Sequence, residues 1–165
     1  MLTSPQFHSP ENVEKMRMGT PLTDSDRWDW LVSLRKAAMT ALSTPSPTGP
    51  MMPPRGVVVT CSALKKKYRD VMRVAPYNDP SIKVHFVYLS ASEKVLLERV
   101  TRRQDHYMGA GMVKSQLEVL EIPGPEERDV LSVDVSASKD EVAAQALRLV
   151  REDMAEEIGR DAVKL

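Results

Sequence analysis

The sequence predicts an α/β fold with a mainly parallel sheet flanked by helices, and three observations carry that prediction. Short apolar runs rich in β-branched and aromatic residues, GVVVTC at 56–61, KVHFVYL at 83–89 and DVLSVDV at 129–135, have the pattern of buried strands. Apolar residues at helical spacing precede the first run and follow each of the three. Strands alternating with helices in this way point to a layered α/β architecture rather than to a bundle or a sandwich.

Each element has a local reason. Pro10 suits the first turn of a short helix running to about Met18, and Gly19 suits its C-terminal stop. Thr23 with Asp26 three residues later has the form of a capping box opening a longer helix. The apolar face of that helix is Trp30, Leu31, Leu34, Ala38, Ala41 and Leu42. The stretch 44–55, rich in Pro, Ser and Gly, reads as a surface loop. Ser62 offers a cap for a helix through KKKYRD, and Ser90 with Glu93 a capping pair for a helix carrying Val95, Leu96 and Val100 as far as Arg103. A glycine-containing interruption at 107–111 precedes a helix over 112–121. Ser138 with Glu141 caps a last amphipathic helix that uses Val142, Ala146, Leu149, Val150 and Met154.

Size and charge bound the function. With 165 residues, 42% hydrophobic and 28% charged, the chain fits one soluble domain, 1–165, with enough apolar material for a substantial core. Lys and Arg total 23 against 23 for Asp and Glu, so no global field favours nucleic acid or an anionic membrane, and any anion site must be local. The patch at Lys65–Lys67 is the sole feature suggesting nucleic acid; balanced charge and scarce aromatics argue against it. One cysteine excludes an intrachain disulfide framework and suits a reducing cytoplasm. No apolar run reaches membrane-spanning length, and MLTSPQFHSP has no apolar signal core.

Two segments could carry chemistry. In CSALKKKYRD, a helix capped by Ser62 would hold Lys65 in its first turn and Arg69 four residues later on the same face, just past the carboxyl end of a strand. Open α/β sheets bind ligands there, and two cations invite a carboxylate or a phosphate; a solvated basic helix face is the alternative. In RVTRRQDHYM, Arg99, Arg102 and Arg103 stand at helical spacing with His106 just beyond. Stacked like charges repel unless an anion or carboxylates neutralise them, so this is either a salt-bridged surface or a phosphate clamp.

Taken together, HSPENVEKMRMGTPLTDSDRWDWL at 8–31, CSALKKKYRD at 61–70, the arginine cluster ending at His106, and MVKSQLEVLEIPGPEE after it resemble the gluconate kinases of the P-loop, nucleoside-monophosphate-kinase-like fold. The resemblance runs in order over nearly the whole chain. It implies ATP-dependent phosphorylation of D-gluconate at its terminal hydroxyl to give 6-phospho-D-gluconate, with magnesium as the metal. Residues 8–43 match a helical substrate-binding arm and 99–121 a lid region. The resemblance places His8, Arg27, Lys65, Arg69, His106 and Gln116 at the sugar acid. Arg99 and Arg103 match the lid positions that stabilise the transferring phosphoryl group and hold ATP. Gln116 is either a polar substrate contact or ordinary helix surface. A homodimer, or association with a full-length kinase, is the partner expectation besides gluconate and ATP.

One departure is large. A P-loop needs Gly-x-x-x-x-Gly-Lys-Ser/Thr so that main-chain amides cradle the phosphates and lysine reaches the transferring group. None of the seven glycines here is followed by lysine, and Ser4, Pro5 and Gln6 stand where the family has acidic residues before its histidine. The expectation is therefore a partial fold, lacking the first two strands and the P-loop, and no assignable metal ligand. In the family the first strand lies between those matching 56–61 and 83–89, so these two must pair anew or leave main-chain edges unpaired. The missing loop weighs against turnover by this chain, and a non-catalytic sugar-acid-binding or kinase-associating protein is the alternative function.

Overall fold

The computed structural model describes residues 1–44, 56–102 and 110–162. β1 (Leu2–Thr3) leads through a 3-10 turn (Ser4–Phe7) into α1 (Pro10–Arg17) and α2 (Asp24–Ser43). β2 (Val59–Thr60), α3 (Lys66–Asn78), β3 (Phe86–Ser90), α4 (Glu93–Arg102), α5 (Ala110–Glu118), β4 (Val130–Asp134) and α6 (Lys139–Ala162) follow. β1 pairs with β2 and β3 with β4, both in parallel. No ladder joins β2 to β3 among the described residues. The edges expected from the sequence are thus partly satisfied by new pairing: the chain's own first residues cover one side of β2, an arrangement the sequence pattern did not suggest.

The strands differ from the buried runs expected. The first shrinks to two residues, and β3 alternates between half-buried and exposed positions, leaving Val58 65% and Leu89 56% exposed. Parallel sheets are ordinarily covered on both faces, so the reading of fully buried strands is corrected to strands buried on one face. Val133 on β4 is fully buried, and α6 packs against that strand. Met154, expected on the inner face of α6, is 49% exposed.

The main core forms where α2 meets α3. Trp30, Leu31, Leu34 and Tyr68 are its buried centre, with Phe7, Cys61, Leu64 and Val71 packed around them. Burial pushes the Cys61 thiol up to about 11. Since the thiolate is the reactive form, iodoacetamide at pH 8 should label Cys61 in the folded chain about tenfold or more slowly than in urea. Equal rates would show that this side of the core is open.

α3 joins the two halves. Its Arg69 donates to both carboxylate oxygens of Glu127, at 2.8 and 2.5 Å, and the pair is buried. Arg73, one turn later, reaches Glu127 at 2.7 Å and Asp129 at 2.7 and 2.8 Å, and its guanidinium stacks over Phe86 of β3, 5.0 Å from the ring centre. The segment 121–129 before β4 is thereby fastened to α3. Among the described residues no helix is long and apolar enough to cross a membrane.

Candidate functional site

The site is built on the first turn of α2. Thr23 and Asp26 form the reciprocal capping box anticipated from the sequence, with the Asp26 amide donating to Thr23 at 3.3 Å and the Thr23 amide donating to Asp26 at 2.9 Å. This fixes the rotation of the helix, and the side chains of its first turn then diverge. Asp24 turns toward α3, where its carboxylate accepts from Lys65 at 2.9 Å and also from Lys67 and the Tyr68 hydroxyl. Asp26 turns toward α1 and accepts from Lys15 at 2.9 Å, while its main-chain carbonyl accepts from the Asn12 amide at 2.8 Å.

Arg27 follows Asp24 by one turn, so it lies on the same side. Its guanidinium stands 5.6 Å from the centre of the Tyr68 ring, and the Lys65 and Lys67 ammonium groups are 5.8 and 6.0 Å from that centre. Three cations therefore surround one aromatic ring, and two of them, Lys65 and Lys67, share one carboxylate, Asp24. That carboxylate is held far below its ordinary range by hydrogen bonds from Lys67, Tyr68 and Lys65. Burial, and the bond to Asp24, push the Tyr68 hydroxyl up to about 12, so it stays a donor at neutral pH. Arg27 is only 7% exposed, and among the described residues no hydrogen-bond acceptor is seated on its guanidinium. Its guanidinium nitrogens are not among the buried polar atoms that lack a partner, so they reach solvent, and a planar bidentate anion is the natural complement of such a group.

His8 stacks on Trp30 with ring centres 4.5 Å apart and planes inclined by 14°. Burial first, then the charge of Arg27, lower its pKa, so the ring is neutral at physiological pH and can accept or donate a hydrogen bond. Its Nδ1 is buried without a hydrogen-bond partner among the described residues. Beside this stack a cleft of about 390 Å³ opens between the 3-10 turn, α1 and α2, lined by Asn12, Asp26, Asp29 and Ser33 among others. That volume falls within the range usual for small-molecule sites.

The residues singled out from the sequence separate into three groups. His8, Arg27 and Lys65 gather around Tyr68 and Trp30. Arg69 does not join them: its four hydrogen bonds go to Glu127 twice and to the carbonyls of Ala63 and Glu121. With its donors so occupied it acts as a structural pin and stands apart from Lys65, with which the sequence spacing groups it. The reason is that Lys65 is the N-cap residue of α3 and lies outside the helix, so the two cations do not share a face. Ser62 is not the cap either; the Lys66 amide is satisfied by the Glu121 carboxylate at 2.6 Å. At α4 the amide of Val95 reaches Ser92 rather than Ser90.

Arg99, expected to face phosphate, donates to the main-chain carbonyls of Val135 and Ala137 at the end of β4. Gln116 is half-buried on α5 and has an interaction of its own. Arg103 and His106 lie outside the described residues. Among the described residues no group of three acidic, His or Cys side chains is arranged to hold a metal ion, and Arg99 is turned to carbonyls. Sequence reasoning missed Tyr68 as the hub and Glu127 as the partner of Arg69. The Arg69–Arg73 spacing of four was the available signal, because two arginines on one helix face require a carboxylate from elsewhere.

Comparison with known proteins gives a consistent result. The chain is 42% identical over 144 residues to a probable gluconokinase of Schizosaccharomyces pombe, covering 87% of this chain and 70% of that protein. It is 35% identical over 150 residues to the thermosensitive gluconokinase of Escherichia coli, covering 89% and 73% respectively. The crystal structure of a gluconokinase from Sinorhizobium meliloti 1021 superposes with a TM-score of 0.74 at 36% identity, over 97% of this chain and 81% of that one. No family model matches the chain.

Proposed function

Because the chain belongs to the gluconokinase family, we propose that the site around Tyr68 binds D-gluconate, and that its function is the phosphorylation of that sugar acid in carbohydrate metabolism. The observation that carries this reading is Arg27, whose guanidinium has no bonded acceptor among the described residues and shares the Tyr68 ring with Lys65, while the neutral His8 stacks on Trp30. Arg27 takes the carboxylate through two parallel hydrogen bonds, and Lys65 adds a second charge. His8 holds a hydroxyl of the polyol chain, with Trp30 fixing the plane of its ring. ATP with magnesium would supply the phosphoryl group, as the family resemblance implies. Residues 8–43 serve as the substrate arm and 99–121 as the lid, and the cytoplasm is the compartment of the reaction.

A second reading is favoured by one specific observation: Arg99 is committed to the carbonyls of Val135 and Ala137. On that reading the chain binds the sugar acid, or associates with a complete kinase, without transferring phosphate.

Titration calorimetry with D-gluconate tests the site, and release of ADP from ATP in the presence of gluconate separates the two readings. Arg27→Ala should weaken gluconate binding about tenfold or more, the loss of a hydrogen bond to a charged group. Unchanged affinity in a folded Arg27→Ala chain would remove Arg27 from the site, and no binding by the parent chain would remove the proposal.

A further inference from the structure

We propose that Asp24 is a charge filter of this site: by occupying Lys65 and Lys67 it leaves Arg27 as the seat for an incoming anion, so the site accepts a planar carboxylate and rejects a tetrahedral dianion such as sulfate or a phosphate group. The inference rests on the gluconate reading above and adds to it the residue that sets the class of anion accepted.

The three cations around the Tyr68 ring are not equivalent. Lys65 donates to one oxygen of the Asp24 carboxylate at 2.9 Å, and the Tyr68 hydroxyl donates to the same oxygen. Lys67 donates to the other. Both oxygens are thus engaged, and three donors that could face a ligand are turned instead to a group of the protein itself. Arg27 differs: its guanidinium lies 5.6 Å from the ring centre and carries no bonded acceptor among the described residues. Two parallel N–H groups in one plane match the two oxygens of a carboxylate.

Charge and hydration then decide between anions. Asp24 stays ionised at neutral pH, because hydrogen bonds from Lys67, Tyr68 and Lys65 hold it far below its ordinary range. Three cations against one carboxylate leave the cluster a surplus of two positive charges, enough to attract an acid. A tetrahedral dianion gives up more hydration than a carboxylate on entering and needs donors on several sides to replace it. One planar guanidinium satisfies a single edge of it, and the Asp24 charge, one turn from Arg27, repels it twice as strongly as it repels a monoanion. Uncharging Asp24 reverses this. The two lysines and the Tyr68 hydroxyl regain donors for a ligand, the repulsion disappears, and a dianion gains about the square of the factor that a monoanion gains.

The test is calorimetric titration of D-gluconate and of sulfate, a tetrahedral dianion at neutral pH, into the parent chain, Asp24→Asn and Asp29→Asn at one low ionic strength. Asp24→Asn leaves the Thr23–Asp26 capping box in place, and urea unfolding checks that each variant is folded. Asp29→Asn is the charge-matched control: Asp29 is exposed on α2 and lines the cleft on the α1 side. The parent should prefer gluconate. Asp24→Asn should bind gluconate about threefold and sulfate about tenfold more tightly than the parent does, whereas Asp29→Asn should leave the ratio of the two unchanged. Lys67→Gln added to Asp24→Asn should take back most of the sulfate gain, because Lys67 is a donor that Asp24 withholds. Weaker binding of both anions to Asp24→Asn would make Asp24 a positioning group for the lysines, and an equal gain for both, or the same gain in Asp29→Asn, would reduce it to general charge; each result overturns the filter while leaving gluconate recognition in place. Absence of gluconate binding to a folded parent chain would overturn the gluconate reading, and the filter would then stand or fall on whether sulfate alone prefers Asp24→Asn to both the parent and Asp29→Asn.

Discussion

Glu127→Ala should destabilise the chain by about 3–5 kcal/mol in urea unfolding at pH 7, the range for removing one partner of a buried ion pair. Glu127 is 7% and Arg69 4% exposed, and the carboxylate takes both bonds from Arg69 and a third from Arg73. Removing it strands the Arg69 guanidinium in the interior, while Arg73 keeps Asp129 and Asp70. A buried pair is weak evidence of net stabilisation in itself, so the double variant Arg69→Met, Glu127→Leu should recover most of the loss. The single and double variants together separate a stranded charge from a lost cross-link. A Glu127→Ala midpoint equal to the parent's would contradict the pinning of 121–129 to α3.

The same carboxylate sets a pH dependence. Hydrogen bonds from Arg69 chiefly, and from Arg73, hold Glu127 at about 2, below its ordinary 4.5. A depressed acid contributes stability that is present above the unfolded value and is lost as pH falls through the folded one. The parent chain should therefore lose stability between pH 4.5 and 2 more steeply than the double variant.

What the sequence made legible was mostly local. The capping boxes Thr23–Asp26 and Ser138–Glu141 occur as read, because donor and acceptor sit three residues apart and need nothing else. Ser62 looked equally able to cap, but α3 takes its terminal acceptor from Glu121, which is distant in sequence. Lys65 and Arg69 were grouped by a spacing of four, yet the helix starts at Lys66, and the one-residue difference sends Lys65 to Asp24 and Arg69 to Glu127. The strand β1 has two residues and no periodicity to read; it exists because β2 needs a partner. Arg27 and Lys65, far apart in sequence, meet over the ring of Tyr68, while His8 stacks on Trp30, and neither contact has a local signal in the sequence.

Trp30→Ala should cost about 3–5 kcal/mol, the usual loss for emptying a buried tryptophan site. Trp30 is 3% exposed and packs with Leu31, Leu34 and Tyr68, the contact by which α2 is held to α3. Its other face supports His8, so the same substitution removes the platform on which the neutral imidazole is oriented. Two comparisons divide these roles. Trp30→Phe keeps an aromatic face under His8 and should retain gluconate binding while losing part of the stability. His8→Ala removes a side chain that is half-buried and outside the core centre, so it should weaken gluconate binding with a much smaller change in the urea midpoint. Were His8→Ala to bind gluconate as the parent does, the His8–Trp30 stack would be packing alone. Were Trp30→Ala to unfold within about 1 kcal/mol of the parent, the α2–α3 contact would not be the core on which the site depends.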